Sequence, residues 1–425
     1  MKQKIGIVSL GCAKNLINTE QMMYLLDEAG YAVHSGDETG FLDAVVINTC
    51  AFIESAKTEA VDVILEYSEL KAKGIVGKII VAGCLPQRYK DEILIELPEI
   101  DAVVGTGSFD DIVEAVEIKL EQQKDCCSDA ESSGLVPRRT RLRNSPSDAD
   151  NSVLFKDISA PVSETGRIIT TSPLWTYLKI AEGCDNNCAY CCIPSIRGAF
   201  RSRPIENIVK EAELLSGRGI KEFIIVAQDV TRYGFDLYGK YALTELLREL
   251  SGITGVMWIR LMYLYPDEIN DELIDEIEKN DKIVKYLDIP IQHISDKILS
   301  NMNRRGSGSQ IRELFKKLRE RIHGLVLRTS IITGLPGEGE AEFEELLDFL
   351  REAKIERTGV FTYSPEEGTP AAKMQYPDEK TAQYRAEIIR KLQSQIMDDF
   401  DKSRSGMEMT MIDGRSYAEA PEDLL

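Results

Sequence analysis

Over the first 120 residues, short apolar runs alternate with longer segments of helical periodicity. "KIGIVSLGC" ends at Cys12, "DAVVINTC" at Cys50 and "GKIIVAGC" at Cys84, and a fourth run, "IDAVVGTG", ends near Gly105. Helical patterns lie between them, for example at Thr19–Ala29 and Glu54–Lys73. Continuous apolar runs separated by helices predict a buried parallel sheet in an α/β domain. Parallel strands share a direction, so their carboxyl ends share one edge, where ligands bind in open α/β sheets.

A second alternating region runs from Leu174 to Glu367. Six strand-like segments, "LWTYLKIAEG", "EFIIVAQD", "GVMWIRLMY", "YLDIPIQH", "VLRTSIITGLP" and "TGVFTYS", are separated by helical patterns such as Pro204–Leu215, Gln310–Ile322 and Glu340–Ala353. Six βα units are too few to close an eight-stranded barrel, so a partial, open barrel is expected. Residues 121–170 interrupt the alternation. They are rich in Ser, Asp, Pro and Arg, with "RRTRLR" at Arg138–Arg143, and predict a partly disordered linker with a solvated basic face. The expected domains are 1–120, a linker at 121–170, a barrel at 171–400 and a remnant at 401–425.

Composition narrows the setting. The 425 residues are 43% hydrophobic, enough for real cores in two or three domains. The first residues have no signal-peptide anatomy, and no apolar run approaches the roughly 18 residues of a membrane helix. A cytoplasmic protein is expected, in which clustered thiols bind metal or do chemistry. The net charge of −20 disfavours nucleic acid and favours a basic partner.

Against that background the nine cysteines stand out. Cys12, Cys50 and Cys84 each close a predicted parallel strand, so separations of 38 and 34 residues become proximity in space. Free cysteine is a common buried residue, but three at three successive strand ends predict a metal or cluster site. Cys126 and Cys127, adjacent in the linker, are expected to be unligated. Cys184, Cys188 and Cys191 form C-x3-C-x2-C on the loop after the first barrel strand. Structural zinc needs a fourth protein ligand. Cys192 is poorly placed because adjacent side chains diverge, and His293 is a hundred residues away. Three thiolates holding three irons of a [4Fe–4S] cluster, with the fourth iron open to a small molecule, fit better.

C-x3-C-x2-C after the first strand of a six-unit barrel resembles the radical S-adenosylmethionine (SAM) superfamily. The resemblance implies that the open iron chelates the amino and carboxylate groups of SAM, and that one electron cleaves SAM to methionine and a 5′-deoxyadenosyl radical. Tyr190 then borders the adenine. "SLGCAKN", "INTCAFIESAK" and "AGCLPQRY" resemble the N-terminal domain of methylthiotransferases, which implies a second [4Fe–4S] cluster on Cys12, Cys50 and Cys84. "LGCAKN", "CDNNCAYCCIPSIRG" and "IPIQHISDKILSNMNRRG" are most similar to the branch that methylthiolates the β-carbon of an aspartate on the twelfth small-subunit ribosomal protein. That branch uses two SAM per turnover, one as methyl donor and one as radical source, with an electron donor such as flavodoxin or ferredoxin. No side-chain base is implied as catalytic, in keeping with only three histidines.

The resemblance also implies SAM contacts at Gln228 and Asp229, where the superfamily often has Gly-Gly-Glu and this chain reads "AQD". Further contacts are implied at Gln292, and at Arg328 with the "IITGLPGE" turn of Ile331–Glu338. "RGAFRSRP", Arg197–Pro204, could position substrate or form helix-start surface. The family ends in a TRAM β-barrel of which only "GRSYAEAP" is legible, so a truncated domain with a partly disordered tail is expected. Two other readings compete. The same chemistry on a transfer-RNA adenosine would need a basic surface and steep salt dependence. A non-catalytic, metal-stabilised binding protein would need closed four-ligand sites.

Overall fold

The computed structural model describes residues 2–35, 40–90, 92–128, 153–404, 409–410 and 416–417; at 35, 121–128, 404, 409–410 and 416–417 it describes the backbone alone. The chain divides into two units, Met1–Thr170 with Ser195–Ala199, and Thr171–Pro194 with Phe200–Leu425. No described helix is long and apolar enough to cross a membrane.

The first unit is built on six parallel strands: β1 (Lys4–Ser9), β2 (Ala32–Ser35), β3 (Leu42–Thr49), β4 (Val76–Gly83), β5 (Ala102–Val104) and β6 (Val153–Leu154). They lie in the order β2-β1-β3-β4-β5-β6. In the register, Ile7 stands opposite Val46, and Thr49 opposite Gly83. The strand order reverses between β1 and β3, the point where such sheets open a crevice beyond the carboxyl ends. Helices α1 (Ala13–Glu28), α2 (Glu54–Ala72), α3 (Cys84–Tyr89) and α4 (Ile112–Ser128) connect the strands. Ile5, Ile7, Met22, Leu26, Val46, Ile80, Val104 and Val116 share one buried core. With helices on its faces, β3 is buried at nearly every position, so its sequence is continuously apolar.

The expected four strands are joined by two others. β2 is a short edge strand, and β6 comes from the segment expected to be linker. Helix α4 continues past residue 120 to Ser128, so Cys126 and Cys127 lie on its last turn. Residues 153–170 belong to the first unit rather than to a linker. The Glu20 carboxylate explains why: it accepts from the Arg167 guanidinium at 3.2 Å and from the Thr170 amide at 2.7 Å. Both Glu20 and Arg167 are buried. Residues 129–152, with the basic run, lie outside the described residues.

The second unit holds β7 (Trp175–Lys179), β8 (Glu222–Val226), β9 (Trp258–Leu261), β10 (Ile283–Asp288), β11 (Val326–Thr333) and β12 (Arg357–Thr362). Each strand pairs in parallel with the next in chain order. β7 and β12 are left as edges, the arrangement of a barrel stopped short of closure. All six predicted segments are strands. A long helix, α5 (Glu379–Arg404), lies against the β12 side, where Arg390 donates to the Val360 carbonyl and Gln393 to the Glu356 carbonyl. Beyond it, Met409–Thr410 and Ser416–Tyr417 pair antiparallel; the rest of the expected TRAM remnant lies outside the described residues.

Candidate cluster sites

In the first unit the sheet brings three distant cysteines to one edge. Cys12 precedes α1 in an extended conformation, Cys50 follows β3, and Cys84 opens α3 directly after β4. Two glycines make the approach possible. Gly11 has φ +90°, and a Cβ there would stand 2.6 Å from the Cβ of Cys50. Gly83 has φ +94°, and a Cβ would meet Asn48 Oδ1 at 2.3 Å and the Thr49 carbonyl at 2.7 Å. Only glycine combines that backbone with that closeness.

Asn15 holds the strand ends together. Its Nδ2 donates to the carbonyls of Leu10 at 3.0 Å and Thr49 at 2.7 Å. Its Oδ1 accepts from Cys84 Sγ at 3.8 Å and from Arg197 Nη2 at 2.5 Å. The same Arg197 nitrogen lies 3.5 Å from Cys84 Sγ. Asn48 reinforces the arrangement by donating to the Asn15 carbonyl and to Thr19 Oγ1, both at 2.9 Å.

The environment divides the three thiols. Burial, then the neighbouring Cys84, push Cys50 up to about 11, although Arg197 opposes this. Burial acts to raise Cys12 too, but Lys14, Arg197 and the amides of Asn15 and Lys14 outweigh it and leave that thiol below its ordinary value.

In the second unit the cysteines lie within eight residues on the loop after β7. Asn187, between Cys184 and Cys188, takes a left-handed backbone with φ +50°. The Cys191 amide donates to the Cys188 carbonyl at 2.9 Å, and the Ile193 amide points at Cys191 Sγ at 3.5 Å. The loop is pinned from outside: Ala189 donates to the Met302 carbonyl and accepts from the Ala371 amide, both at 2.9 Å. Ala189, Ile298, Met302, Leu335 and Ala371 form a small apolar cluster against which Tyr190 packs.

Burial is the main cause that pushes Cys184 up to about 11 and Cys191 well above its ordinary value; Asp229 and Cys188 add to the first, Cys188 and Cys192 to the second. Among the described residues no three His, Cys, Asp or Glu side chains are disposed to hold a single metal ion. The second-unit thiols, desolvated and raising one another's pKa, will ionise together only against a multiply cationic group. Thiols in sets of three match in kind the ligands that an iron–sulfur cluster takes.

The other expected contacts fall into two groups. Tyr190, Gln228 and Asp229 lie at the loop or are bonded to it. Tyr190 Oη accepts from Arg304 at 3.0 Å. Asp229 is buried and accepts from Asn186 of the loop at 2.7 Å and from Thr231 at 2.6 Å. Gln228 Nε2 donates to Glu182 at 2.8 Å, and Glu182 is paired with the buried Lys179 at 3.0 Å. Gln228 Oε1 is buried and has no partner among the described residues.

Gln292 and Arg328 make no hydrogen bond to the loop among the described residues. Gln292 has φ +68° and bridges to Ile331 through its backbone, and its side chain makes no hydrogen bond among the described residues. Arg328 is near the start of β11 and donates to the buried Asp288 at 2.6 Å. In the "GLPGE" turn, Glu338 accepts from the Gly334 amide at 3.0 Å and from Arg385 at 2.7 Å, so it braces the turn. The arginines of "RGAFRSRP" separate. Arg203 is structural, bonded to the Lys179 carbonyl at 2.6 Å and to Glu211 at 2.8 Å. Arg197 lies buried at the first cysteine set.

The sequence pattern does not mark Asn15 or Arg304 as site residues. Arg304 donates to Tyr190, to Cys188 Sγ at 3.8 Å and to the Pro290 carbonyl at 2.7 Å, and stacks on the Tyr265 ring at 4.5 Å. Both residues lie inside quoted motifs, "LGCAKN" and "NMNRRG". The signal available was their place beside cysteine- or Gly-bearing turns.

Comparison with known proteins follows the same division. A model of the radical SAM superfamily matches residues 178–350, and that of the uncharacterized protein family UPF0004 matches residues 4–105. The chain resembles a solved radical SAM methyltransferase, TsrM from Kitasatospora setae, with cobalamin and a [4Fe–4S] cluster bound (TM-score 0.60, 14% identity, 87% of this chain and 77% of that one). It also resembles the cobalamin-dependent SAM radical enzyme OxsB (TM-score 0.54, 13% identity, 94% of this chain and 56% of that one). These likenesses show the fold, that of the radical SAM class. The ribosomal protein uS12 methylthiotransferase RimO of Acetivibrio thermocellus is 46% identical over 99% of this chain and 91% of its own length. RimO of Caldanaerobacter subterraneus is 44% identical over 99% of this chain and 92% of its own. The chain therefore belongs to the RimO family of radical SAM methylthiotransferases.

Proposed function

We propose that this protein is a cytoplasmic radical SAM methylthiotransferase that adds a methylthio group to the β-carbon of an aspartate on ribosomal protein uS12. The observation that carries the reading is the pair of three-thiol sites in a chain similar over its whole length to RimO proteins. Cys184, Cys188 and Cys191 would hold one [4Fe–4S] cluster and Cys12, Cys50 and Cys84 a second. When bound, the clusters and two SAM molecules supply a hydrogen-abstracting radical, a methyl donor and a sulfur carrier.

The chain's own residues hold and orient. Arg304 fixes the Tyr190 ring at the loop. Gln228, with its buried acceptor, and Asp229 would hold the SAM amino group, and Gln292 and Arg328 would supply further contacts to the cofactor. The acidic chain suits a basic ribosomal protein and opposes RNA phosphates. A flavodoxin or ferredoxin supplies electrons.

The test is mass spectrometry of uS12 after anaerobic incubation with reconstituted protein, SAM and reductant. Replacement of one hydrogen by methylthio on an aspartate is expected. Unmodified uS12 with methylthiolated transfer RNA in a parallel reaction would overturn the substrate. Zinc in place of iron would overturn the chemistry.

A further inference from the structure

Arg197 has no part in the reaction described above, yet it is placed with unusual care. It closes a short helix, Ile193–Arg197, and its side chain is only 3% exposed. Nη2 lies 2.5 Å from Asn15 Oδ1 and 3.5 Å from Cys84 Sγ, and Nη1 lies 3.5 Å from Asn18 Oδ1. Asn15 is itself fixed by its two donations to the strand-end carbonyls of Leu10 and Thr49. The guanidinium is thus seated by an oriented amide rather than lying loosely beside the thiols.

A guanidinium stays protonated in proteins. Reduction adds negative charge to a thiolate-bound cluster. A fixed cation that donates to a ligand sulfur stabilises the reduced form, the more so where burial lowers the local dielectric. We infer that Arg197 is a positioning residue which, acting through Cys84, raises the reduction potential of the cluster on Cys12, Cys50 and Cys84. The inference rests on the reading that these three cysteines hold a cluster.

The test uses the full chain carrying Cys184→Ser, Cys188→Ser and Cys191→Ser, reconstituted without oxygen, so that only the first-unit cluster assembles. Iron content reports that cluster, and a potentiometric titration followed by electron paramagnetic resonance reports its midpoint. Arg197→Gln in this background is expected to move the midpoint to more negative potential, and Arg197→Lys to restore most of the shift. Asn18→Asp keeps Arg197 but sets a carboxylate against it, and is expected to move the midpoint in the same negative direction.

An unchanged midpoint in Arg197→Gln with iron retained would overturn the inference, as would equal shifts in the Gln and Lys variants. If Arg197→Gln loses its iron, an unchanged midpoint in Asn18→Asp overturns it instead. A parent chain without iron is a distinct result: it overturns the cluster reading, and the inference with it.

Discussion

The two cysteine sets, three thiols each, are placed by opposite means. In the second unit the thiols sit within eight residues, and local turns place them: a left-handed Asn187, an amide aimed at Cys191 and an apolar anchor at Ala189. In the first unit the thiols come from three strand ends and meet only when the sheet order and register are complete. The comparison teaches that a local site is specified by its loop, whereas an assembled site inherits every weakness of the fold beneath it. Each set nonetheless has a guanidinium in contact with a cysteine sulfur, Arg197 at Cys84 and Arg304 at Cys188.

The largest expected effect separates the two chemistries. Cys188→Ser should abolish 5′-deoxyadenosine formation from SAM, whereas Cys50→Ser should leave that formation intact and abolish methylthio transfer. Each variant should bind about four irons instead of about eight. Equal loss of SAM cleavage in both would erase the distinction.

Next in size, Glu20→Ala leaves Arg167 buried without its carboxylate and should destabilise the first unit by about 3–5 kcal/mol. Urea unfolding followed by iron loss from the Cys184→Ser background would read it. A change under 1 kcal/mol would show that residues 153–170 do not support the assembled site.

Acid should also tell the units apart. His293 is fully buried in the second unit, faced by Glu338, Glu342 and Arg385, and burial lowers its pKa to about 4. The unfolded chain therefore takes up a proton near pH 6.5 that the folded unit refuses until about pH 4. Stability is held above the unfolded value and lost as pH falls through that window, by about 3 kcal/mol in all. His293→Gln should flatten this slope in denaturant titrations run between pH 7 and 4; an unchanged slope would assign it to other groups.

The smallest effects concern backbone. Gly83→Ala should cost about 1–3 kcal/mol and reduce iron at the first site, because φ +94° and the crowding by Asn48 and Thr49 both oppose a Cβ. Asn187→Ala, in the solvent-facing loop, should cost only about 1 kcal/mol. The reverse order would mean that the loop, not the sheet edge, is the strained site.

Local signals carried most of the sequence reading. All six barrel strands and four of the first sheet's strands are legible because their apolar runs are long and bounded by turns. β2, with the polar His34 and Ser35, and β6, two residues within a polar segment, are not legible, since pairing partners and not composition make them strands. The cysteines are legible by position. Asn15, Arg197 and Arg304 are not, because their meaning lies in contacts across up to 182 residues of chain. Arg328 is a further case: its sequence position suggests a cofactor contact, while its bond to the buried Asp288 could be found only in the structure.

The five residues Ser195–Ala199 bear on how the chain can be cut. They belong to the first unit although the gene encodes them inside the second. The first unit is therefore not a contiguous cassette. A fragment ending at Thr170 would omit Arg197 and fold around a gap, and recombination at that boundary would deliver the strand-end cysteines without their cation.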